Sequence, residues 1–263
     1  MSFTKAGLLS FSLLLAACAS TDKSQLVCRS PASPNIDDIR AVSPTLAYNT
    51  ETMLLGEVWK RPGLTRRDRS LVTVAVLVAK NQPSEMAYHF NLALDNGVKP
   101  QELSEVINHL AFYTGWGNAT ATILIAKGVF AQRGITVDQL PPVSPVLLPI
   151  DEASEKVRTA FVDKTVGPVS PGLVHYTSAA LFHDLWLRPG LAPRDRSLIT
   201  VSALIATGQV AQLGAHLNRA MDNGLTQGEA SEMLTQLAFY SGWPSVFTAV
   251  PVVNEVFARR QKS

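Results

Sequence analysis

Cysteine is nearly absent. The 263 residues hold two, Cys18 and Cys28, which excludes a disulfide-built scaffold and leaves a buried apolar core as the means of folding. An excess of either charge is lacking too, with 23 basic against 21 acidic residues. No run of Lys or Arg interleaves with aromatics, so a nucleic-acid groove is excluded. The apolar run at the N-terminus, residues 6–15, is well short of the roughly 20 residues that cross a bilayer. Long alternating runs bounded by turn signals are missing, which argues against a sheet. Hydrophobic residues make up 46% of the chain, enough for one large or two small globular units.

The apolar run follows Lys5 and closes on Leu15, Ala16, Ala17 and Cys18, the form of an export signal. That ending resembles a bacterial lipoprotein box. The resemblance implies cleavage before Cys18, lipidation of Cys18 and attachment to a lipid bilayer. Ala19, where Asp would signal retention at the inner membrane, implies the periplasmic face of the outer membrane in the bacterial envelope. Residues 1–17 are then the signal peptide, and residues 18–36 are the lipidated cysteine and a polar tether. Cys28 is left as the sole thiol of the mature chain, either free or paired with a second copy.

From Ile36 the chain contains one unit twice. Arg61-Pro-Gly-Leu64 returns as Arg188-Pro-Gly-Leu191, Arg67-Asp-Arg-Ser-Leu71 as Arg194-Asp-Arg-Ser-Leu198, and Asp95-Asn-Gly97 as Asp222-Asn-Gly224, all at an offset of 127. Residues 37–137 form the first repeat and residues 151–263 the second, joined by a Pro-rich linker at residues 138–150. Each repeat reads as helices alone. Thr65 caps one helix reaching about Lys80, Asn96-Gly97 ends a second, Pro100 opens a third that stops at Gly115, and a fourth runs from about Asn118 to Arg133. Thr226 and Glu229 have capping-box spacing. One more amphipathic region precedes each set, residues 44–59 and 172–186. The fold class is all-α, with the two repeats forming a pseudo-dimer.

Within the second helix, Glu85 and His89 stand one turn apart on one face, where a carboxylate can orient an imidazole and favour its protonated form. His216 repeats the histidine, but Gln212 replaces the carboxylate, and an amide cannot supply charge. The sharp reading is an acid/base pair at the first repeat; the plain reading is a hydrogen-bonded histidine at the edge of the core. Arg67, Arg69, Arg194 and Arg196 sit in first helical turns, where the dipole disfavours positive charge. They either receive a substrate carboxylate or pair with Asp68, Glu102, Glu105 and their counterparts. Tyr113, Trp116, Tyr240 and Trp243 read as core or interface, and His109, His175 and His183, unmatched between repeats, as incidental. Glu85 and His89 lack the further ligands a metal site needs, and nothing calls for a cofactor.

The order Arg-Pro-Gly-Leu, Arg-Asp-Arg-Ser-Leu, Glu-x-x-x-His, Asn-Gly and Tyr-x-Gly-Trp resembles the carboxymuconolactone decarboxylase family, which shares the AhpD-like helical fold. The resemblance implies an oligomer with sites near subunit contacts, here a trimer of two-repeat chains, and a small carboxylated molecule as substrate. Its peroxidase branch uses Cys-x-x-Cys, since a thiolate must attack peroxide and a second cysteine must resolve the product. Gln82 and Glu85, with Gln209 and Gln212, occupy those positions, which excludes that mechanism. The pattern implies a carboxy-lyase with His89 as proton donor and Glu85 orienting it, and a second repeat that is mainly scaffold. A lipid-anchored binding or assembly module that kept the fold without the chemistry is the alternative.

Overall fold

A computed structural model describes residues 34–262. The expected signal peptide, Cys18 and Cys28 lie outside them. Among the described residues there is no strand. The first repeat comprises α1 (Ile36–Val42), α2 (Pro44–Asn49), α3 (Arg66–Ala79), α4 (Pro83–Asp95), α5 (Pro100–Thr114) and α6 (Trp116–Gln132). The second comprises α7 (Glu152–Thr165), α8 (Pro171–Tyr176), α9 (Pro193–Ala206), α10 (Val210–Asp222), α11 (Gln227–Ser241) and α12 (Trp243–Arg260).

The helix signals act where their chemistry places them. Thr65 accepts a hydrogen bond from the Asp68 amide at the head of α3, and Thr226 and Glu229 satisfy each other's end amides at α11. Gly115 and Gly242 turn α5 into α6 and α11 into α12 with φ of 92° and 94°, a region that favours glycine. Two expectations need correction. The amphipathic regions before α3 and α9 are each broken, because α2 and α8 widen into π-type turns, Thr50–Leu54 and Thr177–Phe182, before a short 3-10 turn delivers Trp59 or Trp186. In addition, α1 and α7 are separate helices capped by Asn35 and Asp151, whose side chains accept from the first-turn amides.

The core is built on α3 and α9, which pack on each other and are buried from Asp68 to Ala79 and from Asp195 to Ala206. Burial on all sides explains their near-continuous apolar sequence. Each of these helices also packs against the fifth helix of the other repeat, α3 with α11 and α9 with α5. The repeats therefore share one core.

Buried charge crosses the same boundary. Arg69, fully buried, donates to Glu232 at 2.8 Å, and Arg61 pairs with that carboxylate at 2.8 and 3.1 Å. The mirror set is Arg196 to Glu105 at 2.8 Å and Arg188 to Glu105 at 2.9 Å. Arg188 also fixes the linker by donating to the Pro142 and Val143 carbonyls, so the proline segment is extended but held.

Removing one partner of such a set leaves uncompensated buried charge. Glu105→Ala, which strands Arg196 and Arg188, is expected to cost about 3–5 kcal/mol in urea denaturation. Glu255→Ala, which breaks an exposed pair with Arg259, is expected to cost less than about 1 kcal/mol.

Candidate active site

Helix α4 buries Met86, Phe90 and Ala93, and His89 lies beside them at 4% exposure. The 3-10 turn before α3 sets the Trp59 indole against the imidazole, with centroids 6.2 Å apart and planes 18° from parallel. The third wall comes from the other repeat: the Tyr240 ring meets His89 edge-on at 5.2 Å. Trp59 Nε1 donates to the Tyr240 hydroxyl at 2.8 Å, locking both rings. Tyr88, next along α4, adds a fourth ring at 5.0 Å.

The same box is built a second time with the repeats exchanged. His216 stacks on Trp186 at 6.3 Å and 18°, Tyr113 of the first repeat meets it edge-on at 5.3 Å, and Trp186 Nε1 donates to the Tyr113 hydroxyl at 2.9 Å. Each histidine therefore sits in a pocket completed across the repeat boundary. Packing α11 against α3 and α5 against α9 carries each tyrosine to the histidine of the other repeat.

Burial dominates the electrostatics. It lowers the pKa of His89 to about 4, and that of His216 to about 4 with a smaller contribution from Arg219. Both imidazoles are neutral at pH 7. His89 Nδ1 is buried without a hydrogen-bond partner. The expected contact from Glu85 is not made: the carboxylate has no hydrogen-bond or ion-pair partner among the described residues. Its pKa is raised by partial burial. Helical spacing brought the two within a turn, but no carboxylate contact offsets the burial of the imidazole, so its protonated form is disfavoured. Gln212 is exposed.

The four arginines are held by acidic side chains. Arg67 donates to Glu102 at 2.8 Å and Asp195 at 2.7 Å, while Arg194 donates to Asp68 at 2.9 Å and Glu229 at 2.6 Å. Arg69 and Arg196 hold Glu232 and Glu105, as described above. These partners answer the unfavourable helix position of the cations. Trp116 and Trp243 lie away from the histidines, largely exposed, against Phe112 and Phe239.

Three features escaped the sequence reading. Trp59 and Trp186 had no cue beyond their recurrence. His109 is not incidental. It is fully buried, its Nε2 lies 2.7 Å from the Thr200 hydroxyl and its Nδ1 lies 3.4 Å from Arg196 Nη1. Because Thr200 donates to the Arg196 carbonyl, it accepts from Nε2, and Nδ1 accepts from the arginine. Gln236, at the matching position, makes the same two bonds, donating to Thr73 at 3.1 Å and accepting from Arg69 at 3.2 Å. A neutral histidine and a glutamine amide are interchangeable here, which identity counting cannot register. The third feature is a cavity of about 190 Å³ beside the His89 box, lined by Leu55, Trp59, Lys60, Arg66, Tyr88 and others. Lys60 and Arg66 are exposed and have no acidic partner among the described residues.

Comparison with known proteins agrees with this doubled architecture. The model of the carboxymuconolactone decarboxylase family matches at residues 44–128 and again at residues 171–255. A 4-carboxymuconolactone decarboxylase of Acinetobacter baylyi is 42% identical over 85 residues, covering 32% of this chain and 63% of its own length. A nitrosuccinic acid decarboxylase of Metarhizium robertsii is 33% identical over 72 residues, covering 27% of this chain and 50% of its own length. The alignments thus span about half to five-eighths of those relatives. Matched twice by one family model across more than half its length, the chain belongs to the carboxymuconolactone decarboxylase family.

Proposed function

We propose that the protein is a carboxy-lyase that removes carbon dioxide from a small carboxylated substrate at the His89 pocket. The observation that carries this reading is a neutral, buried imidazole walled by Trp59 and Tyr240, with an unpaired, partly buried carboxyl, Glu85, on the same helix face. Family membership and two decarboxylase relatives support the reaction class.

The substrate carboxylate enters beside Lys60 and Arg66, whose unpaired charges favour it. The aromatic walls exclude water from the reacting carbon, which disfavours a localised carboxylate relative to a charge-dispersed transition state. The carbon–carbon bond to the carboxylate breaks, carbon dioxide leaves, and the electron pair passes to the adjacent carbon and its conjugated carbonyl oxygen. An N–H of neutral His89 donates a hydrogen bond to that oxygen. Glu85, kept protonated more readily by its burial, delivers the proton to carbon and recovers one from water. This reverses the roles that spacing suggested: the carboxyl is the acid, and the imidazole stabilises the enolate. Gln212 cannot deliver a proton, so the second pocket does not turn over.

Release of carbon dioxide from carboxylated lactones and from nitro- or keto-acids checks the assignment. His89→Ala is expected to lower kcat/KM by at least about 100-fold, whereas His216→Ala changes it by less than about fivefold. Equal losses would contradict it. Activity should fall as pH drops through about 4, where His89 becomes charged, and fall again above the raised pKa of Glu85. Glu85→Gln removes the upper limb together with most of the rate.

We further propose that the mature protein is tethered through lipidated Cys18 to the periplasmic face of the outer membrane, a reading supported by residues 1–19. Mass spectrometry of the protein from membranes should give a chain beginning at acylated Cys18, and Cys18→Ser should retain the leader. Assembly as three chains is supported by exposed Trp116, Trp243 and Phe247, and by an apolar groove of about 620 Å³ lined in part by Ile107, Ala111, Trp116, Ile123 and Phe130. Light scattering is expected to return three times the chain mass; a monomeric mass removes that proposal.

A further inference from the structure

The second pocket differs from the first in where it keeps its positive charge. Lys60 and Arg66 become Leu187 and Pro193, whereas Leu92 becomes Arg219. Its guanidinium lies over two rings, 5.1 Å from the Trp186 centroid and 5.0 Å from that of Phe182. A second guanidinium, from Arg158 on α7, lies over Phe182 at 4.4 Å. Trp186 is also the ring on which His216 stacks.

These cations are under-supplied with acceptors. Arg158 gives Nε and Nη2 to Glu155 at 2.7 and 2.5 Å, and Nη2 also donates to the Thr159 and Ser178 hydroxyls at 3.1 Å each, but its Nη1 is buried with no partner, and the side chain is 9% exposed. Glu155 is shared further, accepting from His183 at 2.6 Å. Arg219 has no hydrogen-bond or ion-pair partner among the described residues, although it is partly buried. The rings repay some of the lost hydration through cation–π contact, but they accept none of its five N–H groups. Among the described residues the His216 ring makes no hydrogen bond either, and the Tyr113 hydroxyl accepts from Trp186 without donating its own proton to any of them. Glu155, Asp151 and Asp222 act on Arg219 at longer range, but none of them accepts a hydrogen bond from it, so its N–H groups lack acceptors.

We propose that this pocket is a second, non-equivalent ligand site that binds a small carboxylate, its anion held by Arg219 beside the rings of Phe182 and Trp186. The anion supplies the missing acceptors, and a planar carboxylate matches the fork of a guanidinium bidentately. The site binds without catalysing, having the charge that reads a carboxylate and lacking the carboxyl that protonates carbon. It stands independently of turnover at His89, and it replaces the expectation that the second repeat is mainly scaffold.

The test is calorimetric titration of the full chain with benzoate and, separately, with inorganic phosphate. A Lys60→Ala/Arg66→Ala background silences the cations of the first pocket, so that failure there and failure here read separately. One saturable benzoate site per chain is expected, at least tenfold weaker in Arg219→Leu, which installs the residue the first repeat carries at that place. Arg219→Lys, which keeps charge without the planar fork, should fall between. Histidine NMR should show the His216 pKa rising from about 4 on benzoate binding, because a nearby anion favours imidazolium, while His89 stays unmoved. Benzoate affinity unaffected by Arg219→Leu, or no saturable site, overturns the proposal. Phosphate binding as tightly as benzoate overturns the carboxylate assignment.

Discussion

The structure depends on two buried arginine–glutamate sets that cross from one repeat to the other. Arg69 and Arg196 have no solvent exposure, and each can be tolerated in the core only because a glutamate from the opposite repeat answers it. Those glutamates lie on α5 and α11, so satisfying the charges requires each of these helices to lie against the central helix of the other repeat. The registration that results puts Tyr113 and Tyr240, eight residues along the same helices, into the pockets of the opposite histidines. Neutralising a core charge and building a site are one packing decision.

Near-symmetry in the scaffold then permits divergence at the rims. Trp, His and Tyr are kept in both pockets, and so is the indole-to-hydroxyl bond that fixes them. What changes is charge: Glu85 against Gln212, Lys60 and Arg66 against Leu187 and Pro193, Leu92 against Arg219. A tandem chain can vary these independently, which an assembly of identical subunits cannot. The first rim thus carries a carboxyl and two cations, and the second an amide and a guanidinium laid over rings.

Much of the fold was legible because its signals are local. Thr65, Pro100, Thr226 and the glycines at 115 and 242 act on backbone groups within a turn of themselves, and they bound helices wherever the rest of the chain lies. The histidines were legible through their recurrence. The partner of each was not, since 151 residues separate His89 from Tyr240 and nothing in spacing along one helix reports what another brings to it. Spacing in fact misled at Glu85, where the i, i+4 geometry is present and the contact is not. His109 was dismissed because its counterpart is Gln236, although both residues present one donor and one acceptor to the same kind of partners.

The central claim is that each histidine pocket is composite, walled by a tyrosine from the other repeat. Histidine NMR titration of Tyr240→Ala and Tyr113→Ala tests it most directly, since each imidazole reports its own burial. Opening the wall rehydrates the ring and favours the charged form, so Tyr240→Ala should raise the His89 pKa from about 4 towards 6.5 and leave His216 near 4. Tyr113→Ala should do the reverse. If each tyrosine instead moved only the histidine of its own repeat, or neither histidine responded, the composite pockets described above would be wrong.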